Sequence, residues 1–378
     1  MTRVMHVPLR LDPFLLYLIA VVAAASVVPA QGRVAGAVGI LADLAIAVLF
    51  FLQGAKLSRS AIVQGVGNWR LHGLVLGSTY LLFPALGLAL LAGLRGAGNP
   101  LIVAGLLYLT LLPSTVQSSI AFTAIARGNV AAAVCSASLS NLIGIFLTPL
   151  LVGLLLRTGG GAAVSSWQAV ESILLQLLAP FLAGHLLRPV IGGFVERHRK
   201  LLQPVDRGSI LLVVYSAFSA AVVNGIWRRV GGVDLLAVVV LSAILLGGVM
   251  GANLLVARLA RLPREDAIVL LFCGSKKSLV SGVPMAGALF APAQVGLIVL
   301  PLMIFHQLQL FLCAALAGRY RQQAEQRDAV AVPRSDAEIA EASARTGLPI
   351  PEACRAGVTA NLALLERHAA TLRGTTVA

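Results

Sequence analysis

The 378 residues predict an all-α polytopic membrane protein of ten transmembrane helices. Three observations carry that prediction: the composition, the recurrence of apolar runs of spanning length, and the placement of basic residues between them. The chain is 58% hydrophobic and 12% charged, with a mean hydropathy of +0.91. Soluble domains carry roughly 45–50% apolar and about 25% charged residues. A chain this poor in charge suits a solvent that rejects charge.

The runs fall at 11–29, 36–54, 71–94, 100–126, 131–156, 168–188, 205–226, 234–257, 263–290 and 293–318. Each is near or above the roughly 20 residues that take a helix across about 30 Å of hydrocarbon. None alternates in polarity as a barrel strand does. Arg3 and Arg10 before the first run, and Val28-Pro29-Ala30 after it, have the look of a signal peptide. The first run has a counterpart later in the chain, so it reads as a span.

Orientation follows from Lys and Arg in the short connections. With the N-terminus inside, fourteen basic residues fall on the inner side, among them Lys56, Arg59, Arg70, Arg127 and the cluster from Arg188 to Arg207. Five fall outside: Arg33, Arg95, Arg157, Arg228 and Arg229. Both termini are therefore expected in the cytoplasm, with the chain in the plasma (inner) membrane. Trp69, Trp167 and Trp227 sit at predicted span ends, where an amphipathic indole is favoured.

The net charge of +14 invites a nucleic-acid reading. The basic residues form short clusters between apolar runs, aromatic residues are only 6% and do not interleave with them, and no finger or RNP pattern occurs, so no nucleic-acid partner is expected. Cys135, Cys273 and Cys313 lie in apolar runs and Cys354 in the tail, without a CxxC pair; they read as packing residues with no metal.

Equivalent features recur at offsets of 157, 161 and 162 residues: the starts of spans one and six, the interruptions near Pro113 and Gly274, and the starts of spans five and ten. Five spans per unit is odd, so the second unit must be inverted, an architecture of many secondary transporters. The expected division is 1–156, 157–318 and a polar, Ala-rich cytoplasmic extension 319–378. Within that extension 335–344 and 351–372 read as surface helices.

Polar residues at bilayer depth are costly, so they mark function or pairing. The first cluster, Pro113-Ser114-Thr115-Val116-Gln117-Ser118-Ser119, interrupts span four. Proline removes a backbone donor, and the hydroxyls beside it can satisfy freed carbonyls or coordinate an ion. The second, Gly274-Ser275-Lys276-Lys277-Ser278, interrupts span nine and holds two of the four lysines. A third comprises Ser136, Ser138, Ser140 and Asn141 on span five. Asp43 is the only acid well inside a span and reads as a coupling group or a paired structural charge.

These residues resemble the bile acid:sodium symporter family. The resemblance covers about 10–320 and is carried by Leu112-Pro113 and the small polar residues after it, Ala126-Arg127-Gly128-Asn129, Leu147-Thr148-Pro149 and Pro180-Phe181-Leu182-Ala183-Gly184 with Arg188-Pro189. Phe50-Phe51-Leu52-Gln53-Gly54 and His306-Gln307-Leu308-Gln309 resemble a branch of ten-helix carriers whose substrates are largely undefined. The resemblance implies a panel of helices one, two, six and seven, a core of the other six, and substrate beside the crossing of interrupted helices four and nine. It places Ser118 and Ser119 at polar positions after the first break, and Ser136 and Ser140 near helix-five sodium ligands. Aligning on Gly274 puts Phe272 where sodium-coupled members carry an acid, and Lys276 where they carry a Gln. The carboxylate shared by both sodium sites is absent.

The expected function is secondary transport of a small organic anion, with one lysine standing at the crossing in place of a cation. Lys276 is expected at the crossing and Lys277 toward a hydrated cavity. Sodium or a proton is the candidate coupling ion, and no other cofactor is expected. Proton coupling and a non-transporting membrane regulator are the alternatives. No paired carboxylates, HExxH or GxSxG point to an enzyme.

Overall fold

The computed structural model describes residues 13–56, 68–93, 98–156, 167–328, 333 and 335–372. Among them there is no strand, and eight helices are long and apolar enough to cross a membrane. The basic residues Arg3, Arg10, Arg59, Arg95 and Arg157, used above for orientation, lie outside the described residues. The chain divides into two compact units, 1–321 and 322–378.

In the first unit, α1 spans Pro13–Val27, α2 Gly32–Lys56 and α3 Trp69–Ala92. Two shorter helices follow, α4 (Pro100–Thr110) and α5 (Gln117–Ile125), then α6 (Val130–Leu155), α7 (Trp167–Arg197) and α8 (Arg199–Val223). After α9 (Gly232–Leu259) come α10 (Arg264–Gly274) and α11 (Leu279–Leu289). α12 begins at Pro292 and ends at Asp328. Helices thus occupy each predicted apolar run, with the expected interruptions at 111–116 and 275–278.

Local sequence sets the ends. Asn99 precedes Pro100, and its side chain accepts from the Leu101 N–H at 3.0 Å, leaving proline where a donor is not needed. Asn129 caps α6 through the Ala132 N–H at 3.0 Å. Asn129 and Asn68 also donate to the two carboxylate oxygens of Asp266, at 2.9 and 3.0 Å. One acid in the first turn of α10 therefore ties together the starts of α3, α6 and α10.

Two sets of helices emerge from the packing. α2 lies against α7 and α8, and α1 against α8. The second set surrounds α10, which contacts α3, α5, α6 and α9. The apolar window of Arg264–Leu289 is 94% buried, whereas those of the other candidate spans are 17–50% buried. Among these candidate spans the most enclosed is therefore the one that carries both lysines. α2 and α7 meet through glycines: a Cβ on Gly54 would strike the Phe181 carbonyl, and one on Gly184 the Phe51 carbonyl. The chain of α2 ends at Lys56, which is paired with Asp206 of α8.

The second unit contains α13 (Asp336–Thr346) and α14 (Arg355–Leu372). Ser335 and Glu338 form a capping box, and Gly347 closes α13 at φ 68°, a conformation that favours glycine.

Candidate functional site

Each break frees backbone groups, and the accounting of those groups builds the site. Pro113 has no N–H for the Leu109 carbonyl, which instead accepts weakly from Leu112 at 3.5 Å. The Ser114 N–H turns to the Ser140 hydroxyl at 3.1 Å, so the Thr110 carbonyl loses its helical donor. Leu111 O accepts from the Thr148 hydroxyl at 2.8 Å. The Pro113 carbonyl accepts from the Ser278 N–H at 2.9 Å, which joins one break directly to the other.

On the other side, the end of α10 presents three carbonyls to hydroxyls. Phe272 O accepts from Ser119 at 3.2 Å, Cys273 O from Ser114 at 2.5 Å and Gly274 O from Ser78 at 3.0 Å. Asn253 on α9 donates to Ser275 at 2.8 Å. Gln309 on α12 bonds both the N–H and the C=O of Lys277, at 2.8 and 2.9 Å. Ser278 caps α11 by accepting from the Ser281 N–H at 3.1 Å.

Both lysine side chains are 0% exposed. The Lys277 ammonium donates to the carbonyls of Thr79, Thr110 and Leu112, at 2.8, 2.7 and 2.7 Å. It also lies 4.2 Å from the Phe83 ring centre and 5.9 Å from that of Tyr80. The Thr79 carbonyl is available because α3 is π-helical over Ser78–Leu82. There the Phe83 N–H bonds Ser78 O, and the next donor in that register would be Pro84, which has none. Lys276 points elsewhere: it donates to the Ser118 hydroxyl at 2.7 Å and lies 4.4 Å from the Phe122 ring centre.

This corrects the sequence expectation for the two lysines. Lys277, not Lys276, is surrounded by carbonyls at the meeting of the breaks, and neither ammonium is open to solvent. Lys276 and Lys277 both lie in the non-helical break after α10, and which of them meets the freed carbonyls depends on where α3 and α4 pack. Sequence alignment could not supply that.

The other expected residues separate. Ser114, Thr115 and Ser119 are buried at the junction; Thr115 and Ser119 hydroxyls lie 2.8 Å apart, and Ser118 donates to Thr115 at 2.9 Å. Gln117 is exposed and directed out of the junction. Ser140 belongs to the junction, whereas the Ser136 hydroxyl pairs with the Nδ1 of His72 on α3 at 2.7 Å. Asn141 donates to Gln53 of α2 at 3.3 Å and accepts from Ser281 at 2.9 Å, a polar link between the two helix sets. Asp43 is exposed on α2 and stands apart from the junction.

Sequence reasoning missed Thr79, Tyr80, Asn253 and Gln309. Asn253 and Gln309 are polar residues inside apolar runs and could have been read by the same rule as the serines. The Thr79 carbonyl had a weaker signal in Pro84, a proline in mid-span. Tyr80 reaches the Ser140 carbonyl at 2.6 Å across the face of Gly144, where a Cβ would meet its hydroxyl and the Pro113 ring.

The arrangement is a fixed polar junction inside an apolar body, with one cation saturated by acceptors and a second with a single hydroxyl acceptor. Comparison with known proteins gives the chain its relatives. The family model described as "SBF-like CPA transporter family (DUF4137)" matches residues 12–322. A relative named "Putative symporter YfeH", from Escherichia coli (strain K12), is 54% identical over 84% of this chain and 96% of its own length. "Uncharacterized protein PA2026" from Pseudomonas aeruginosa is 51% identical over 86% of this chain and 97% of its own. "Sodium/bile acid cotransporter 7-B" from Xenopus laevis is 26% identical over 82% and 91%.

Proposed function

The chain belongs to the SBF-like CPA transporter family, and on that premise we propose that it is a secondary active carrier of a small organic anion that runs without sodium. Membership makes it a membrane-embedded transporter rather than an enzyme. In this reading α4 with α5, and α10 with α11, are each one interrupted pass. The passes then number ten, in two inverted repeats, with α1, α2, α7 and α8 as the panel. Both termini lie in the cytoplasm, and the membrane is the inner one of a bacterial cell, as the likeness to an Escherichia coli protein suggests.

The observation that carries the reading is the ammonium of Lys277 held by three backbone carbonyls where the two breaks meet. A junction that already contains a covalently attached cation has its charge demand met and does not need a free one. The absence of an acid at Phe272 points the same way. Lys276 takes the second role. An ammonium has three donors, and Ser118 with the Phe122 face uses only part of that capacity. Opening of the part-exposed Ser118 side would let Lys276 meet an anionic substrate group.

Proton coupling is the second reading, favoured because no carboxylate among the described residues partners Lys276: a lysine so placed can exchange a proton where the site meets water. Asp43 is the remaining candidate coupling group, and Asp43→Asn tests it.

The test is uptake of a panel of small carboxylates and sulfonates by the purified protein in liposomes, under imposed sodium or proton gradients. Candidates are chosen by thermal shift in detergent. Sodium-independent uptake is expected. Acceleration by a sodium gradient overturns the reading. A well-folded protein that moves none of the panel supports a non-transporting regulator instead.

A further inference from the structure

We propose that the carbonyls of Thr79, Thr110 and Leu112 form a binding site for a monovalent cation of ammonium or potassium size, filled from within by Lys277. When that side chain is cut back, a free cation takes its place. The proposal rests on the reading of Lys277 as a resident cation and extends it to ligand class and selectivity.

The three oxygens lie 2.7–2.8 Å from the Lys277 nitrogen. All three are acceptors only. An ammonium has three N–H donors, one for each carbonyl, whereas a neutral amine has two and would leave one acceptor unmatched. The cage does not depend on the lysine for its shape. Thr79 O is freed by the π-turn of α3 and by Pro84, and Thr110 O by the diversion of the Ser114 N–H to Ser140. These causes lie in α3, α4 and α6 and persist when residue 277 changes.

Without a cation, three carbonyls would converge on a buried point with no donor, an arrangement proteins rarely tolerate. The walls favour a weakly hydrated ion. The Phe83 ring lies 4.2 Å from the charge, and an aromatic face attracts a cation but does not replace water's oxygens. Oxygen positions set for an N–H···O bond suit ammonium and the similarly sized potassium ion, and are too distant for close coordination of the smaller sodium ion.

The test uses the full chain in detergent. Lys277→Ala is purified in N-methylglucamine chloride and titrated at constant ionic strength with ammonium, potassium or sodium chloride. The wild type and Lys277→Met, which fills the cage without charge, are run beside it. The expected result is a saturable rise in Tm of about 3 °C for Lys277→Ala with ammonium and potassium, less with sodium, and none for the two controls. An unresponsive Lys277→Ala, or an equal response from wild type, overturns the proposal. If Lys277→Ala cannot be recovered folded, Lys277→Ser is judged by yield of monodisperse protein in ammonium against N-methylglucamine. Recovery in ammonium alone supports the site, and equal recovery or equal loss in both overturns it. Failure of the carrier reading would appear instead as absent uptake by wild type and would leave these shifts unchanged.

Discussion

The carboxamide of Gln309 pairs with both backbone polar groups of Lys277, accepting from its N–H at 2.8 Å and donating to its C=O at 2.9 Å. Gln309 is fully buried, and its amide nitrogen also lies 2.8 Å from the Nδ1 of His306. α12 thus supplies to the break the two bonds that a continuous helix would have made. Gln309→Leu leaves a buried donor and a buried acceptor unpaired, at about 1–3 kcal/mol each. Thermal unfolding in detergent should show Tm lower by about 5 °C or more. An unchanged Tm would mean that water or another side chain replaces the amide without loss.

Lys276 differs from Lys277 in having one hydroxyl acceptor instead of three carbonyls. Lys276→Ala should therefore abolish uptake in liposomes while expression and Tm stay close to wild type. Lys277→Ala should lose Tm as well as uptake, because it empties a cage of buried acceptors. Equal Tm losses for the two variants would contradict the division of roles.

α2 and α7 approach so closely that a methyl group on Gly54 would strike the Phe181 carbonyl. Backbone oxygen cannot rotate aside, so the helices must separate. Gly54→Ala and Gly184→Ala should each cost about 1–3 kcal/mol, read as lower Tm and yield. Gly36→Ala on the same helix has nothing within 4 Å to meet and should be tolerated. Equal effects at 36 and 54 would show that α2 and α7 do not pack as described.

Topology is tested with reporters. A fusion after Ala378 should report cytoplasm, and one inserted at 159–163 the far side, as the fourteen-to-five distribution of basic residues predicts. Both on one side would remove the ten-pass arrangement.

Deleting 327–378 should leave insertion and uptake intact, since 322–378 is its own compact unit, in which α13 carries its own capping box. A truncated chain that fails to insert would make the extension part of the carrier's fold.

Much of this protein was legible in its sequence, for one physical reason. A bilayer makes every buried charge and every broken helix expensive, so the runs, the breaks at Pro113 and Gly274, and the polar residues beside them stand out without any knowledge of neighbours. Ser114, Ser119, Ser140 and the lysine pair were found that way. Direction was not legible. Whether Lys276 or Lys277 meets the carbonyls, that Ser136 turns to His72, and that Gln117 faces outward follow from how α3, α4 and α6 pack around α10. The deciding acceptors, at Thr79, Thr110 and Leu112, are backbone atoms, which every residue possesses. Only tertiary structure determines which of them lose their helical donors and face a common point.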